Sequence, residues 1–259
     1  MKEFSTLVRI MKKLRHPSRG CPWDLKQTPE TLKEYILEET HELIEAIDSG
    51  AADAIREELG DLLLQIVFLA QIASEKEQFS IRDVIAGISD KLVRRHPHIF
   101  GRVKVADADE VKANWEQIKI AEKNKQSVIS DYPPSMPSLL LANRIASQAA
   151  GVGFDWDDAA KALDKVSEEV GELRVEMAGN RRHEAGDEIG DLLFAVANVA
   201  RLLKINPEFA LSRANAKFTR RFRFIEAELR RQGKDVAAAS LEEMEELWQR
   251  AKTELDAPS

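Results

Sequence analysis

Apolar residues recur every three or four positions along most of the chain, and glycine and proline collect at the breaks between these segments. This spacing is typical of amphipathic helices. No segment shows the alternation of β-branched and polar residues that predicts a strand. The first half is predicted to hold helices at about 4–14, 31–49, 53–76, 80–95 and 109–124, and the second at about 138–150, 158–178, 182–204, 207–231 and from 240 onwards.

The order of elements repeats after a proline-rich break at 130–137. Trp23 and Trp156 lie 133 positions apart, and so do Trp115 and Trp248. A period of this size is too long for a solenoid unit. The sequence therefore predicts an all-α protein of two tandem homologous helical-bundle domains, 1–125 and 138–259, with a linker at 126–137.

Two pairs of acidic residues mark each repeat. Within a pair the acids lie three apart, and fifteen residues separate the pairs. Each acid of the second repeat lies 130 positions after its counterpart. The eight residues are Glu39, Glu42, Glu58 and Asp61 in the first repeat and Glu169, Glu172, Glu188 and Asp191 in the second.

These acids are predicted to lie on the apolar faces of their helices. At about 100° per residue, Glu58 and Asp61 share a side with Leu62. Four carboxylates in such a place repel one another and resist desolvation, and no lysine or arginine is expected on these faces. A cation is needed, and oxygen ligands favour Mg²⁺, with Mn²⁺ as a possible substitute.

Other metals fit the pattern less well. A zinc site built from His and Cys is not supported. A di-iron bundle needs two Glu-x-x-His motifs. Glu38 to His41 supplies one, but Gly171 replaces the histidine in the second repeat.

Basic and aromatic residues near the acids are candidate substrate ligands. The basic residues are Lys91 and Arg95 in the first repeat and Lys217, Arg220 and Arg221 in the second. A solvated surface patch is the alternative for each cluster, but its recurrence in both repeats favours phosphate binding. Trp23 and Trp156 lie in loops, where they either cover the core or stack on a base. Asn198, whose counterpart is Phe68, is a candidate for a hydrogen bond to a base or ribose.

One glycine interrupts the second acidic helix in each repeat. Gly60 and Gly190 each precede an aspartate of the set. Glycine inside a helix costs about 1 kcal/mol relative to alanine. Its recurrence therefore predicts either a close approach of helices or space for a ligand.

The overall composition narrows the setting. A net charge of −7 argues against binding along a nucleic acid polymer. Cys21 is the single cysteine, which favours a reducing compartment. The most apolar run, 62–70, is too short to cross a bilayer, and no signal peptide is recognised. These features predict a cytoplasmic protein without a membrane segment.

Together the paired acids resemble the signature of the all-α nucleoside triphosphate pyrophosphohydrolases. The flanking segments 20–24, 95–98, 153–156 and 215–218 resemble further hallmarks of that family. The resemblance implies Mg²⁺-dependent hydrolysis of ribo- and deoxyribonucleoside triphosphates to the monophosphate and pyrophosphate, a nucleotide-pool housecleaning role. It also implies a helical-bundle homodimer whose second repeat is the main catalytic site.

A site hypothesis follows from this resemblance. The eight acids bind Mg²⁺, and Glu168, or Glu38 in the first repeat, orients or deprotonates the attacking water. Lys217 and Arg221 hold the β- and γ-phosphates. Two alternatives stay open at this point: an interaction scaffold that binds no metal, and a phosphatase that releases orthophosphate.

Overall fold

The computed structural model describes residues 2–107, 110, 111, 114, 115, 118, 122, 127–129 and 131–255. Within these residues all regular structure is helical and no strand is present, which confirms the predicted all-α fold. The chain divides into two compact units, Met1–Ala106 and Asp107–Ser259. None of the helices in the described part of the chain is both long enough and apolar enough to span a membrane.

The first unit is built on a hairpin of two long helices. Its helices are α1 (Lys2–Leu14), α2 (Pro22–Lys26), α3 (Leu32–Ser49), α4 (Ala52–Glu75), α5 (Ile81–Arg95) and α6 (Pro97–Phe100). Helix α3 packs along α4, and α1 and α5 pack against α4. The fully buried side chains at its centre are Met11, Leu32, Val67, Phe68 and Ile72.

Local signals set the helix ends in the first unit. Helix α3 ends at Gly50, whose φ of +70° is the left-handed conformation that favours glycine. Ser80 and Asp83 form a capping box at the start of α5, since the Ser80 amide donates to Asp83 Oδ2 at 2.8 Å. By its residue type and position in the sequence Asp53 is a plausible N-cap of α4, but this interpretation is wrong, because α4 begins at Ala52 and Asp53 lies in its first turn.

The second unit repeats the long hairpin and adds a second layer. Its elements are α7 (Ser138–Ala150), α8 (Ala159–Ala178), α9 (Arg182–Leu202), α10 (Pro207–Arg231), a 3₁₀ turn (Val236–Ala238) and α11 (Leu241–Leu255). Helix α9 packs along α8 and α7, while α10 packs on α11 and α7. Ile225, Leu229 and Leu247 form a buried cluster between α10 and α11.

The domain boundaries inferred from the sequence stay a prediction. The division by spatial contacts falls at 106/107, earlier than the linker predicted at 126–137. The Tyr132 hydroxyl donates to Gln148 Oε1 at 2.8 Å, so the end of that linker is fastened to α7. Most of the helix predicted at 109–124 lies outside the described residues.

Candidate metal centres

The α3–α4 hairpin brings three of the four first-repeat acids together. One carboxylate oxygen each from Glu39, Glu58 and Asp61 lies within 4.8 Å of the others. Glu42 is outside this group, although its charge raises the pKa of Glu58. Glu38, the candidate base, adds its charge beside Glu39. The i, i+3 spacing and the pairing of neighbouring helices therefore create the predicted cluster.

The α8–α9 hairpin does the same in the second repeat with a different trio. Oxygens of Glu169, Glu172 and Glu188 lie within 4.8 Å of one another. Glu169 is buried, with 5% of its surface exposed. Asp191 is outside this trio, but it lines a cavity with Glu169, and its charge adds to the raised pKa of Glu188.

The electrostatics of both clusters suit a divalent cation. Burial, followed by the charge of Asp61, raises the pKa of Glu39, and burial with the charge of Glu42 raises that of Glu58. Burial and the charge of Glu169 likewise raise the pKa of Glu172. Carboxylates that crowd and repel one another favour either a proton or a cation, and an all-oxygen set favours Mg²⁺ or Mn²⁺. These residues therefore fit the metal that the sequence implied.

One expectation from the sequence was wrong. Lys165, on α8, places its Nζ 2.8 Å from Glu168 Oε1 and 2.8 Å from Glu169 Oε1, so a lysine does reach the second cluster. Hydrogen bonds from Lys165 to Glu168 and then to Glu169 raise the pKa of its ammonium. The spacing carried this signal, because residues three and four apart face each other on a helix.

Gln65 is a second residue at the clusters that the sequence argument did not use. It lies on α4 with 6% of its surface exposed, and its Nε2 is 3.4 Å from Glu39 Oε1. Its Oε1 is buried without a hydrogen-bond partner among the described residues. A polar residue in the middle of the most apolar run of the chain was the available signal.

The second cluster opens into a cavity of about 770 Å³. Trp156 and Asn198 line it together with Lys165, Glu169 and Asp191, and the role of the first two as substrate ligands stays a prediction. Arg201 fixes part of the wall, because its Nε donates to Asn198 Oδ1 at 2.8 Å and its guanidinium also pairs with Asp155. A cavity of this size accommodates a ligand as large as a nucleotide.

The basic residues of the second repeat that were predicted to bind phosphate do not line this cavity. Lys217 and Arg220 line a different, more open cavity along α10. The Arg221 guanidinium carbon lies 5.3 Å from the ring centroid of Trp248. Among the described residues that line the acidic cavity, none comes from α10. The structure thus places Asn198 and Trp156 with the acids, but not Lys217, Arg220 or Arg221.

In the first repeat, Trp23 contacts Tyr35 in the first turn of α3. Its ring meets Tyr35 edge to face, with centroids 5.7 Å apart, and 51% of its surface is exposed. It lies in α2, a short helix where the sequence predicted a loop. Lys91 and Arg95 lie on α5, which has no buried residue among its described positions.

Gly60 and Gly190 stand in open space. Apart from the adjacent residues and the backbone of its own helix, a Cβ atom at either position would meet no described atom within 4 Å. A close approach of helices is therefore excluded among the described residues. Room beside the acids is the interpretation that remains.

Comparison with known proteins identifies relatives of this chain. A family model described as the MazG nucleotide pyrophosphohydrolase domain matches twice, at residues 27–100 and 157–224. A nucleoside triphosphate pyrophosphohydrolase of Escherichia coli K12 is 45% identical over 97% of this chain and 98% of its own. A nucleoside triphosphate pyrophosphohydrolase/pyrophosphatase MazG of Thermotoga maritima is 45% identical over 96% of this chain and 95% of its own. YabN of Bacillus subtilis, named as uncharacterized, is 49% identical over 96% of this chain and 52% of its own.

Proposed function

The chain belongs to the MazG nucleotide pyrophosphohydrolase family, and from that premise we propose that it hydrolyses nucleoside triphosphates to the monophosphate and pyrophosphate with Mg²⁺. Both ribo- and deoxyribonucleoside triphosphates are substrates in this proposal, in a housecleaning role for the nucleotide pool. The observation that carries it is the second acidic cluster at the edge of a cavity of about 770 Å³.

Within that cavity the residues divide the work. Glu169, Glu172 and Glu188 would hold Mg²⁺, which would neutralise phosphate charge and polarise the reacting phosphoryl group. Glu168 lies at the cluster edge, 57% exposed in its side chain, where it orients or deprotonates the attacking water. Trp156 offers its ring and Asn198 its amide to the nucleoside.

A product assay tests the proposal. With ATP and dATP as substrates and Mg²⁺ present, we expect the monophosphate and one pyrophosphate for each nucleotide consumed. Ion chromatography identifies the released ion, and a chelator provides the metal control. Release of orthophosphate would instead indicate the phosphatase alternative, and no turnover together with no nucleotide binding would indicate the scaffold.

The pH dependence of thermal stability tests metal binding without any nucleotide. The four raised glutamate pKa values belong to Glu39, Glu58, Glu172 and Glu188, whose ordinary value is 4.5. A carboxyl whose pKa is raised in the fold stabilises it below the unfolded pKa, and this contribution is lost as pH rises through the folded pKa. Mg²⁺ bound to these carboxylates would remove the repulsion that develops between them once they ionise, above their folded pKa values. We therefore expect Mg²⁺ to raise Tm more near neutral pH than in mild acid.

Thermal melts with Mg²⁺, and with Na⁺ at matched ionic strength, measure this difference. The Na⁺ series separates general screening from specific binding. A Mg²⁺ shift that stays the same from mild acid to neutral pH would contradict metal binding by these carboxylates.

A homodimer is part of the proposal. Ile189, Leu193 and Val196 on α9 each keep close to half of their surface exposed, at 48%, 50% and 46%. A second copy of the chain would remove this apolar surface from water. Sedimentation equilibrium is expected to give twice the mass of the chain, and a monomeric mass would refute this part.

A further inference from the structure

The two acidic clusters have matching carboxylates but different neighbours. The difference lies at three pairs of equivalent positions, and the two members of each pair are 130 residues apart. The first repeat has Tyr35, Gln65 and Phe68 where the second has Lys165, Ala195 and Asn198. The four acids are of the same residue types in both repeats, although a different trio converges in each, so the neighbours contribute to how strongly each cluster holds a cation.

In the second cluster an internal cation already occupies part of the site. The Lys165 ammonium contacts Glu168 and Glu169 at 2.8 Å each, and the Glu169 side chain is only 7% exposed. A divalent cation that binds Glu169 competes with this ammonium for the charge of the same carboxylate and is repelled by it. Tyr35 at the matching position has a neutral side chain, and its ring packs on Trp23 and on the core around Leu32.

In the first cluster an additional oxygen is available. Gln65 is 94% buried, its amide lies against Glu39, and its Oε1 has no hydrogen-bond partner among the described residues. A buried amide oxygen without a partner is unfavourable. A hard cation at Glu39 would supply the partner, either directly or through one of its hydration waters. Ala195 has no oxygen to offer at the same place in the second repeat.

From these two differences we propose that the clusters are unequal cation sites: the first repeat retains a divalent cation tightly with Gln65 as an additional ligand, and the second holds one weakly because Lys165 competes for its carboxylates. The cation of the first repeat then stays bound to the folded protein in the absence of substrate. The second exchanges, and it arrives most readily with a phosphate-bearing substrate that adds oxygen ligands. This inference rests on the metal-binding part of the proposed function.

Binding of Mn²⁺ to the full chain, without nucleotide, tests the inequality. The electron paramagnetic resonance signal of free Mn²⁺ reports occupancy, and two classes of site are expected. Glu58→Gln should weaken or remove the tight class and Glu188→Gln the weak class, which assigns each class to its repeat.

Substitutions at two positions, Lys165 and Gln65, then test the causes. Lys165→Met is expected to tighten the weak class about tenfold and to leave the tight class unchanged, since two charge-assisted hydrogen bonds no longer oppose the ion. Gln65→Ala, which copies the second repeat, should weaken the tight class by about tenfold. Gln65→Glu keeps the shape and adds charge, so it should tighten that class and provides a second variant if alanine disturbs the buried site.

Matched controls lie on the same helices. Lys161 pairs with Asp157 one turn before Lys165, and Gln71 donates to Glu75 away from the acids. Lys161→Met and Gln71→Ala should leave both classes unchanged. Two equivalent sites, or unchanged affinities in Lys165→Met and in both Gln65 variants, would overturn the inference. Because no nucleotide is present, that result would leave the hydrolysis proposal standing, and failure of hydrolysis would leave the binding result standing.

Discussion

Replacing Glu169 and Glu172 together by glutamine is expected to lower kcat for nucleoside triphosphate hydrolysis by about a thousandfold. Glutamine keeps the size of both side chains and removes the two charges on α8 that hold the cation in the proposed function. A bound divalent ion contributes several kcal/mol to stabilising charge in a phosphoryl transition state. Because each ~1.4 kcal/mol corresponds to a tenfold change in rate, losing the ion removes about three powers of ten.

The matched control is the same double substitution in the first repeat, Glu39→Gln with Glu42→Gln. We expect it to lower kcat by less than about tenfold, because it leaves every carboxylate of the second repeat in place. Another reason is the neighbourhood: Trp156 and Asn198 line a cavity beside the second cluster, whereas Phe68 takes the place of Asn198 in the first. Steady-state pyrophosphate release measures both variants. Equal losses would show that both repeats catalyse, and the reverse order would assign the main site to the first repeat.

Helical periodicity was enough to predict most of the fold. Helix α10 occupies 207–231 as predicted, because Asn206 caps it and Pro207 opens it. The capping box of the last helix also forms, since the Ser240 amide donates to Glu243 Oε2 at 2.7 Å. These features depend on contacts within a few residues, and the sequence displays such contacts directly. The acidic clusters follow from the same local rule, applied to two adjacent helices.

Contacts between elements far apart in the sequence could not be predicted from helical spacing. The sequence placed Lys217 and Arg221 with the acids by analogy between repeats, yet the structure puts Lys217 in a separate cavity on α10. Helical spacing fixes which residues share a face, but it does not fix where a third helix packs. Gln65 was visible in an apolar run, but only the packing of α3 on α4 shows that its amide lies against Glu39. Its role could therefore not be assigned from spacing alone.

The end of α1 is fastened to the rest of the first unit by Arg15, whose side chain is 7% exposed. Its Nε and Nη2 donate to Glu75 at 2.9 and 2.7 Å, and its Nη1 donates to the backbone carbonyls of Asp24 and Gln27. Its guanidinium carbon also lies 5.4 Å from the ring centroid of Phe68. Burial opposes ionisation of Glu75, but the hydrogen bonds from Arg15 and Gln71 outweigh it and lower the pKa of that carboxyl.

Arg15→Met is therefore expected to destabilise the first unit by about 2–3 kcal/mol, below the full cost of an orphaned buried charge because Glu75 is 33% exposed. For a unit of this size that corresponds to a fall in Tm of roughly 10 °C. Arg9→Met, on the exposed face of the same helix, should change stability by less than about 0.5 kcal/mol. A carboxyl with a lowered pKa stabilises the fold above its unfolded pKa, and this is lost as pH falls through the folded pKa. The difference between wild type and Arg15→Met in thermal melts should thus shrink in acid, and a difference that grows would contradict the ion pair as its source.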